Sequence, residues 1–262
     1  MRVLIGDIGS GSLLVWRRDA DVYLTTWYVN FLPPLLEPLF YLLAFGFGLG
    51  VLIGTVTYQG TEVSYLSYLA PGMIAITIMF QSFFECTYGS FVRMYYQKTF
   101  DAIICTPLTL DDVVAGEILW GATKSAIASV FMLAVVKGFG LAVFPQLLLV
   151  PAIAFLGGFL FASLGMIFTA VCPTIDTFNF PVFVLITPMW LISGTFFPIE
   201  ILPRWARIIG GILPLTHLSR LTRAATLGRL TGDLVYCLLW LAVSILILFP
   251  AAVYLMRRRL LK

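Results

Sequence analysis

Apolar and polar stretches alternate along this chain on the scale of a lipid bilayer. Six apolar runs begin near Leu24, Tyr65, Val113, Leu147, Phe178 and Leu234 and end near Thr55, Phe91, Val136, Val171, Phe197 and Met256. A hydrocarbon core about 30 Å thick takes about 20 apolar residues of helix, so the pattern predicts an all-α polytopic membrane protein with six transmembrane helices. The first run is long and carries Pro33, Pro34 and Pro38. Each proline withholds a backbone donor, so this element is expected to be kinked or unwound in its first third, with neighbours satisfying the freed carbonyls.

Small residues recur every four positions at Gly46, Gly50 and Gly54, at Gly121, Ser125 and Ser129, and at Gly158 with Ala162. Such rows let helix backbones approach closely in a membrane. Tyr23, Trp27, Tyr28, Tyr65, Tyr68, Trp190 and Tyr254 sit toward the ends of runs, where amphipathic rings favour the headgroup layer. The composition, 60% hydrophobic and 11% charged, fits this picture, as does the mean hydropathy of +1.00. One transmembrane domain is expected to fill residues 1–262: an interfacial segment at 1–23, spans one to five at 24–197, outer re-entrant helices at 198–233, the sixth span at 234–256 and a basic tail at 257–262. No stretch is polar and long enough for a soluble domain, so a nucleotide-driven engine would have to be another chain.

The net charge of +3 gives no reason to expect a nucleic-acid partner. Asp7, Asp19 and Asp21 interrupt the start, so no cleavable signal peptide is expected and the first span acts as its own insertion signal. Cys86, Cys105, Cys172 and Cys237 lack paired spacing, and His217 is the sole histidine. Neither a disulfide framework nor a metal site is expected from them. Six spans put both termini on one side. Arg2, Arg17, Arg18, Arg93, Lys98, Arg257, Arg258, Arg259 and Lys262 lie there, nine cations against six (Lys137, Arg204, Arg207, Arg220, Arg223 and Arg229) opposite. The excess of lysine and arginine marks the cytoplasm, so both termini are expected inside.

Two connections are more than linkers. Between spans two and three, Phe100, Ile103 and Ile104 share one face of a short helix that Pro107 would end, and Thr109 stands three residues before Asp112 as an N-cap of the third span. Both docking into a groove on a soluble partner and lying on lipid headgroups fit that face. Between spans five and six, Trp205, Ile208, Ile209 and Ile212 recur at helical spacing with Arg204 and Arg207 on another face, and Pro203 is placed to start the helix. Gly210, Gly211 and Pro214 are expected to break it, and a second amphipathic segment follows with Leu218, Leu221, Arg220 and Arg223. Neither piece reaches spanning length, which predicts short helices half-sunk at the outer interface or folded back into the bundle.

These connections and the sequence around them resemble the permease subunits of ABC-2 type exporters and, within them, the nodulation protein J family of lipooligosaccharide exporters. The matching runs are EPLFYLLAFGFGLG at Glu37 to Gly50, FECTYGSFVRM at Phe84 to Met94, QKTFDAIICTP at Gln97 to Pro107, DDVVAGEILWGAT at Asp111 to Thr123, PTIDTFNF at Pro173 to Phe180 and SGTFFP at Ser193 to Pro198. SGTFFP and the PLTH of Pro214 to His217 are general to the wider superfamily, whereas the runs around Glu85 and Phe100 are more specific. Cys105 stands where the family is expected to carry a small residue such as alanine. The resemblance implies a homodimeric pore in the bacterial inner membrane, driven by two copies of a separate ATP-binding subunit that holds ATP and magnesium. This chain itself would be no enzyme and would carry no cofactor. It implies a coupling helix at about Lys98 to Thr106, hence Lys98, Thr99, Phe100, Asp101, Ile103 and Ile104 as the contact with the motor. It also implies a connecting helix before span one, re-entrant helices narrowing the exit, and a dimer seam of spans one and five.

Glu37 and Glu85 lie within spans, where a bare carboxylate is expensive and is paired, protonated or facing water. Glu37, beside Pro38, is read as touching the polar part of a cargo, freed backbone at the kink, or as a protonated structural group. Glu85 is read as pairing with Lys124 of the third span, and Trp190 joins these three as a candidate for the substrate path. Arg204, Trp205, Arg207, His217, Arg220 and Arg223 are candidates for the outer exit, in contact with an anionic or sugar-bearing cargo or with headgroup phosphate. Gly116 to Thr123 approaches a phosphate loop, but Ala122 replaces the lysine and no strand precedes it. No GxSxG elbow or clustered Asp, Glu and His set supports an intramembrane enzyme. A secondary transporter would be expected to show a repeat with paired broken helices, and only the first span is clearly broken. Membrane lipids and a lipid-linked saccharide complete the expected partners.

Overall fold

A computed structural model describes residues 9–28, 36, 39–141, 146–228 and 232–260. The described residues are mostly helical. In chain order they form α1 (Gly11–Thr25), α2 (Leu39–Ile53), β1 (Thr55–Tyr58) and β2 (Thr61–Ser64). Then come α3 (Tyr65–Tyr96), α4 (Thr99–Ile104), α5 (Leu110–Gly138), α6 (Leu147–Val171) and α7 (Ile175–Ile192). The chain closes with α8 (Arg204–Ile212), α9 (Pro214–Leu227) and α10 (Asp233–Leu260). Five of these, α3, α5, α6, α7 and α10, are long and apolar enough to cross a membrane, which makes the chain a multi-pass membrane protein.

The apolar runs located the spans and misjudged several ends. The fourth run matches α6, but α3 continues five residues beyond Phe91 to Tyr96, and α10 carries the basic residues Arg257, Arg258 and Arg259 as helix rather than as a tail. α7 begins and ends earlier than expected, leaving Ser193 to Pro198 as an irregular turn. Leu24 does not open a span; it lies at the end of α1, which packs along α5. The expected break at Pro33, Pro34 and Pro38, and Glu37 with it, lies outside the described residues.

The expectation of an all-helical chain also needs one correction. TVTY and TEVS pair antiparallel from Thr55↔Ser64 to Tyr58↔Thr61, turning at Gln59 and Gly60, both at positive φ. Two successive residues with positive φ make the tight turn whose twist suits a hairpin.

The core has two parts. The larger surrounds Ile74, Met79, Phe161 and Leu218; the smaller gathers Val15, Phe91, Phe100, Val113, Phe178 and Val253 around the start of α5. α6 is central, touching α3, α5, α9 and α10. A Cβ at Gly158 would overlap Ser125 Oγ, and one at Gly121 would lie 3.1 Å from the Cβ of Ala162. The two small-residue rows therefore face each other across α5 and α6, which is why these backbones can come together.

Three strands of chain meet where α5 begins. Thr109 and Asp112 form a reciprocal capping box, Asp112 Oδ1 also accepts the Gly9 N–H at 2.8 Å, and Asp111 binds Arg257 from the last turns of α10. Carboxylates suit the positive end of the helix dipole. The first described residue and the final turns of α10 thus lie at one end of the bundle.

Candidate functional site

A cluster of six charged side chains sits between α1, α3 and α5, beside α4. Lys124 Nζ lies 2.7 Å from Glu85 Oε2, the pair expected from the sequence. Arg93 joins it: Nη1 reaches Glu85 Oε1 at 2.8 Å, and Nη2 reaches Glu117 Oε2 at 2.6 Å. Glu117 is wholly buried and also accepts from Ser90 Oγ at 2.6 Å and from Arg18 Nη2 at 3.3 Å. Arg18 pairs in turn with its neighbour Asp19. Three cations and three carboxylates balance, so buried charge meets a short hydrogen-bonded partner, as burial at membrane depth demands.

Local backbone builds this constellation. In an unbroken α-helix, residues eight apart such as Glu85 and Arg93 are separated by about 2.2 turns and so are offset by about 80° around the axis. Two π-helical turns, Glu85–Gly89 and Val92–Tyr96, widen the coil and bring both onto one side. Such turns are often found at functional sites. On α5, Glu117 and Lys124 are two turns apart and share a face. α1 is drawn close by Gly116, where a Cβ would stand 2.6 Å from the Val15 Cβ, and Trp16 Nε1 donates to Thr123 Oγ1 at 2.9 Å.

Two cavities flank α1. The first, about 610 Å³, is lined by Arg18, Asp19, Glu85, Arg93, Lys124 and, toward α4, Thr99. The second, about 480 Å³, is an apolar groove along Trp16, Leu24, Trp27, Ile127 and Phe131. Tyr23 and Trp120 line both. Asp19 is buried, and burial first, then the Glu117 carboxylate, push its pKa up to about 6 against the opposing pull of Arg93 and Arg18. Among the described residues, no group of three or more His, Cys, Asp or Glu side chains could hold a metal ion.

α4 realises the short helix expected after the second span. Its N-cap, Lys98, takes a left-handed conformation with φ 54° and its Nζ lies 3.9 Å from Asp101 Oδ2. The shared apolar face points inward, however. Phe100 is fully buried in the smaller core and Ile103 is half-buried, because the wall of α3, α5 and α7 side chains beneath α4 is itself apolar. Asp101, Ile104 and Cys105 are exposed, so the outward face is not the one that the spacing suggested.

The outer candidates separate. Arg204, Trp205 and Arg207 are exposed on α8 with Ile208, Ile209 and Ile212, whereas Gly210 and Gly211 lie within that helix and the break falls at Leu213, just before Pro214 opens α9. His217 is buried, its Nε2 3.0 Å from the Gly211 carbonyl and its ring stacked on Trp240 at 4.6 Å. Arg223 is also buried, donating to the Gly194 carbonyl at 2.9 Å and the Tyr68 carbonyl at 3.2 Å, its guanidinium 3.9 Å from the Tyr68 ring centre. Both side chains are almost wholly buried. Arg220 is half-buried, and Trp190 packs on Phe196 at 5.2 Å, away from the charged cavity.

Residue reading from sequence missed Arg18, Asp19, Arg93 and Glu117. Glu117 carried a signal, since it is a carboxylate two helical turns before Lys124 in an apolar run. Arg93 was counted with the connection because the apolar run ended at Phe91.

Residues 12–227 match the family model described as ABC-2 type transporter. The chain is 36% identical to Nodulation protein J of Sinorhizobium fredii over 249 residues, covering 95% of this chain and 94% of that one. It is 38% identical to Nodulation protein J of Rhizobium leguminosarum bv. trifolii over 250 residues, with 95% and 94% covered. The Inner membrane transport permease YadH of Escherichia coli is 22% identical over 242 residues, 92% of this chain and 90% of its own. With its apolar helices, its small-residue seams and a family match across most of its length, this chain belongs to the ABC-2 type transporter family.

Proposed function

We propose that this chain is the permease subunit of an ATP-driven exporter. It works as a homodimer with two copies of an ATP-binding subunit and moves a lipid-linked oligosaccharide out of the inner leaflet of a bacterial inner membrane. The observation that carries this is the position of α4, whose exposed Asp101 and Ile104 stand a few residues from Arg93 and the charge cluster. Gly9 and Arg257 both meet the start of α5, so the chain between them crosses an even number of times. Five described helices are long and apolar enough to cross; this reading counts the shorter apolar α2 as part of a sixth crossing and, from the lysine and arginine excess, puts that end in the cytoplasm.

In this reading ATP closes the partner subunits on each other and displaces α4. Phe100 fastens α4 to the bundle, so the displacement passes into α3 and, through Arg93, to α1 and α5. The seam between protomers then opens toward the lipid. The half-sunk α8 and the buried α9 act as re-entrant outer helices. The resemblance to lipooligosaccharide exporters supports the cargo.

The test is a double substitution on the outward face of α4, Asp101→Lys with Ile104→Asp, in a chain co-expressed with the ATP-binding subunit. Normal insertion with loss of co-purification and of cargo-stimulated ATP hydrolysis is expected. Unchanged export would refute the docking role. A panel of lipid-linked saccharides, drugs and polysaccharides in the same ATPase assay separates the cargo classes.

A further inference from the structure

The two cavities beside α1 are neighbours that share Tyr23 and Trp120 in their walls, one polar and one apolar, a pairing that matches a molecule with a polar head and a hydrocarbon chain. Trp16, Ala20, Leu24 and Trp27 form one face of α1 and line the apolar groove; Arg18, Asp19, Val22 and Thr26 form the next face and line the charged cavity. Tyr23 and Trp120 meet edge to face with centroids 5.4 Å apart and belong to both walls. We propose that the pair of cavities is one binding site for a glycolipid-like amphiphile, holding an uncharged, hydroxyl-bearing head beside Arg93 and Lys124 and an acyl chain along Trp16, Trp27 and Phe131.

The polar side selects the head. Each cation at its wall already faces a carboxylate: Lys124 and Arg93 face Glu85, Arg93 and Arg18 face Glu117, and Arg18 faces Asp19. An anionic head would have to compete with those carboxylates for donors. A hydroxyl both donates and accepts, so it adds to a balanced set of ions without displacing one. Tyr23, Tyr88 and Trp120 supply ring faces for the C–H surface of a sugar.

The other side selects the chain. Among the described residues, Thr123 has the one non-aromatic polar side chain on the groove wall, and its hydroxyl is already engaged, donating to the Leu119 carbonyl at 2.8 Å and accepting from Trp16 at 2.9 Å. The groove therefore offers a polar ligand little, and both volumes fall in the range of about 300–1,000 Å³ that suits small-molecule sites.

The proposal deepens the cargo reading above, and its test is independent of ATP. The full chain is reconstituted in phosphatidylcholine nanodiscs and titrated with a single-chain alkyl glucoside brominated along its chain, following tryptophan quenching. The expected result is saturable quenching, with half-saturation about tenfold lower than for the phosphate monoester of the same brominated alcohol and about tenfold higher in Ala20→Phe, which places a ring in the groove. Free glucose should neither quench nor compete. Quenching that rises linearly without saturation, or a phosphate ester that binds as well as the glucoside, overturns the proposal; the wild-type comparison decides it even if Ala20→Phe misfolds. Failure here would leave ATP-coupled transport standing, and loss of ATP coupling would leave this binding unchanged.

Discussion

Two buried arginines show two ways of keeping a guanidinium out of water. Arg93, near the end of the bundle that holds α4, is met by the carboxylates of Glu85 and Glu117. Arg223 is met by the carbonyls of Tyr68, Gly194 and Thr195 and by the ring of Tyr68. The first arrangement is a network of full charges in which each member compensates others, so losing one strands its partners. The second ties a cation to dipoles that other donors could satisfy. The α4 end is thus built as a rigid electrostatic joint, and the Arg223 end as a latch holding α9 to α3 and to the turn after α7.

Replacing Arg93 by leucine tests the contrast most severely. It leaves Glu117 buried without its main counter-ion, and breaking a buried pair costs about 3–5 kcal/mol; loss of the monodisperse peak in detergent chromatography is expected. A cycle on Glu85 and Lys124 comes next. Glu85→Leu should be more damaging than Lys124→Leu, because Arg93 continues to hold Glu85 when Lys124 is gone. Both together should be milder than the sum, with a coupling of about 1–3 kcal/mol in thermal unfolding. Additive losses would mean that the contact carries no energy. Arg223→Met should cost less than Arg93→Leu, about 2 kcal/mol for unsatisfied carbonyls, with the chain still folding.

The gentlest effect over any one pH unit is a dependence centred on Asp19. Its folded pKa of about 6 lies above the ordinary 3.8, so the folded chain holds this proton more firmly than the unfolded chain. The penalty for ionised Asp19 is complete above pH 6 and disappears below about 4. The contribution of this group therefore makes stability fall as pH rises through that window, by at most about 1.4 kcal/mol per unit. Asp19→Asn should remove that slope, read as the difference between its melting temperatures and those of the wild type from pH 4 to 7.5.

Much of this is legible in the sequence, and what is not has physical reasons. Glu85 and Lys124 could be paired because a charge deep in apolar sequence needs an opposite one. Arg93 was hidden because apolar length says nothing of a helix that continues past its greasy stretch through π turns. Periodicity put Phe100, Ile103 and Ile104 on one side of α4 but could not say whether that side faced the bundle or the solvent. The hairpin was available in the alternation of TVTY and TEVS about Gln59 and Gly60, a signal masked by the long run before it. The burial of His217 and Arg223 is not legible from their segment, since an amphipathic pattern leaves open whether it lies half-sunk at the interface or folds back into the bundle.

The bond between Asp111 and Arg257 spans most of the polypeptide and bears on biogenesis. Asp111 is synthesised long before its counter-ion, so during insertion the carboxylate waits at the foot of α5 until the final helix is threaded. A nascent chain that has not yet reached Arg257 leaves that acid without this counter-ion, so the joint between the start of α5 and the last turns of α10 closes only once the final helix is in place.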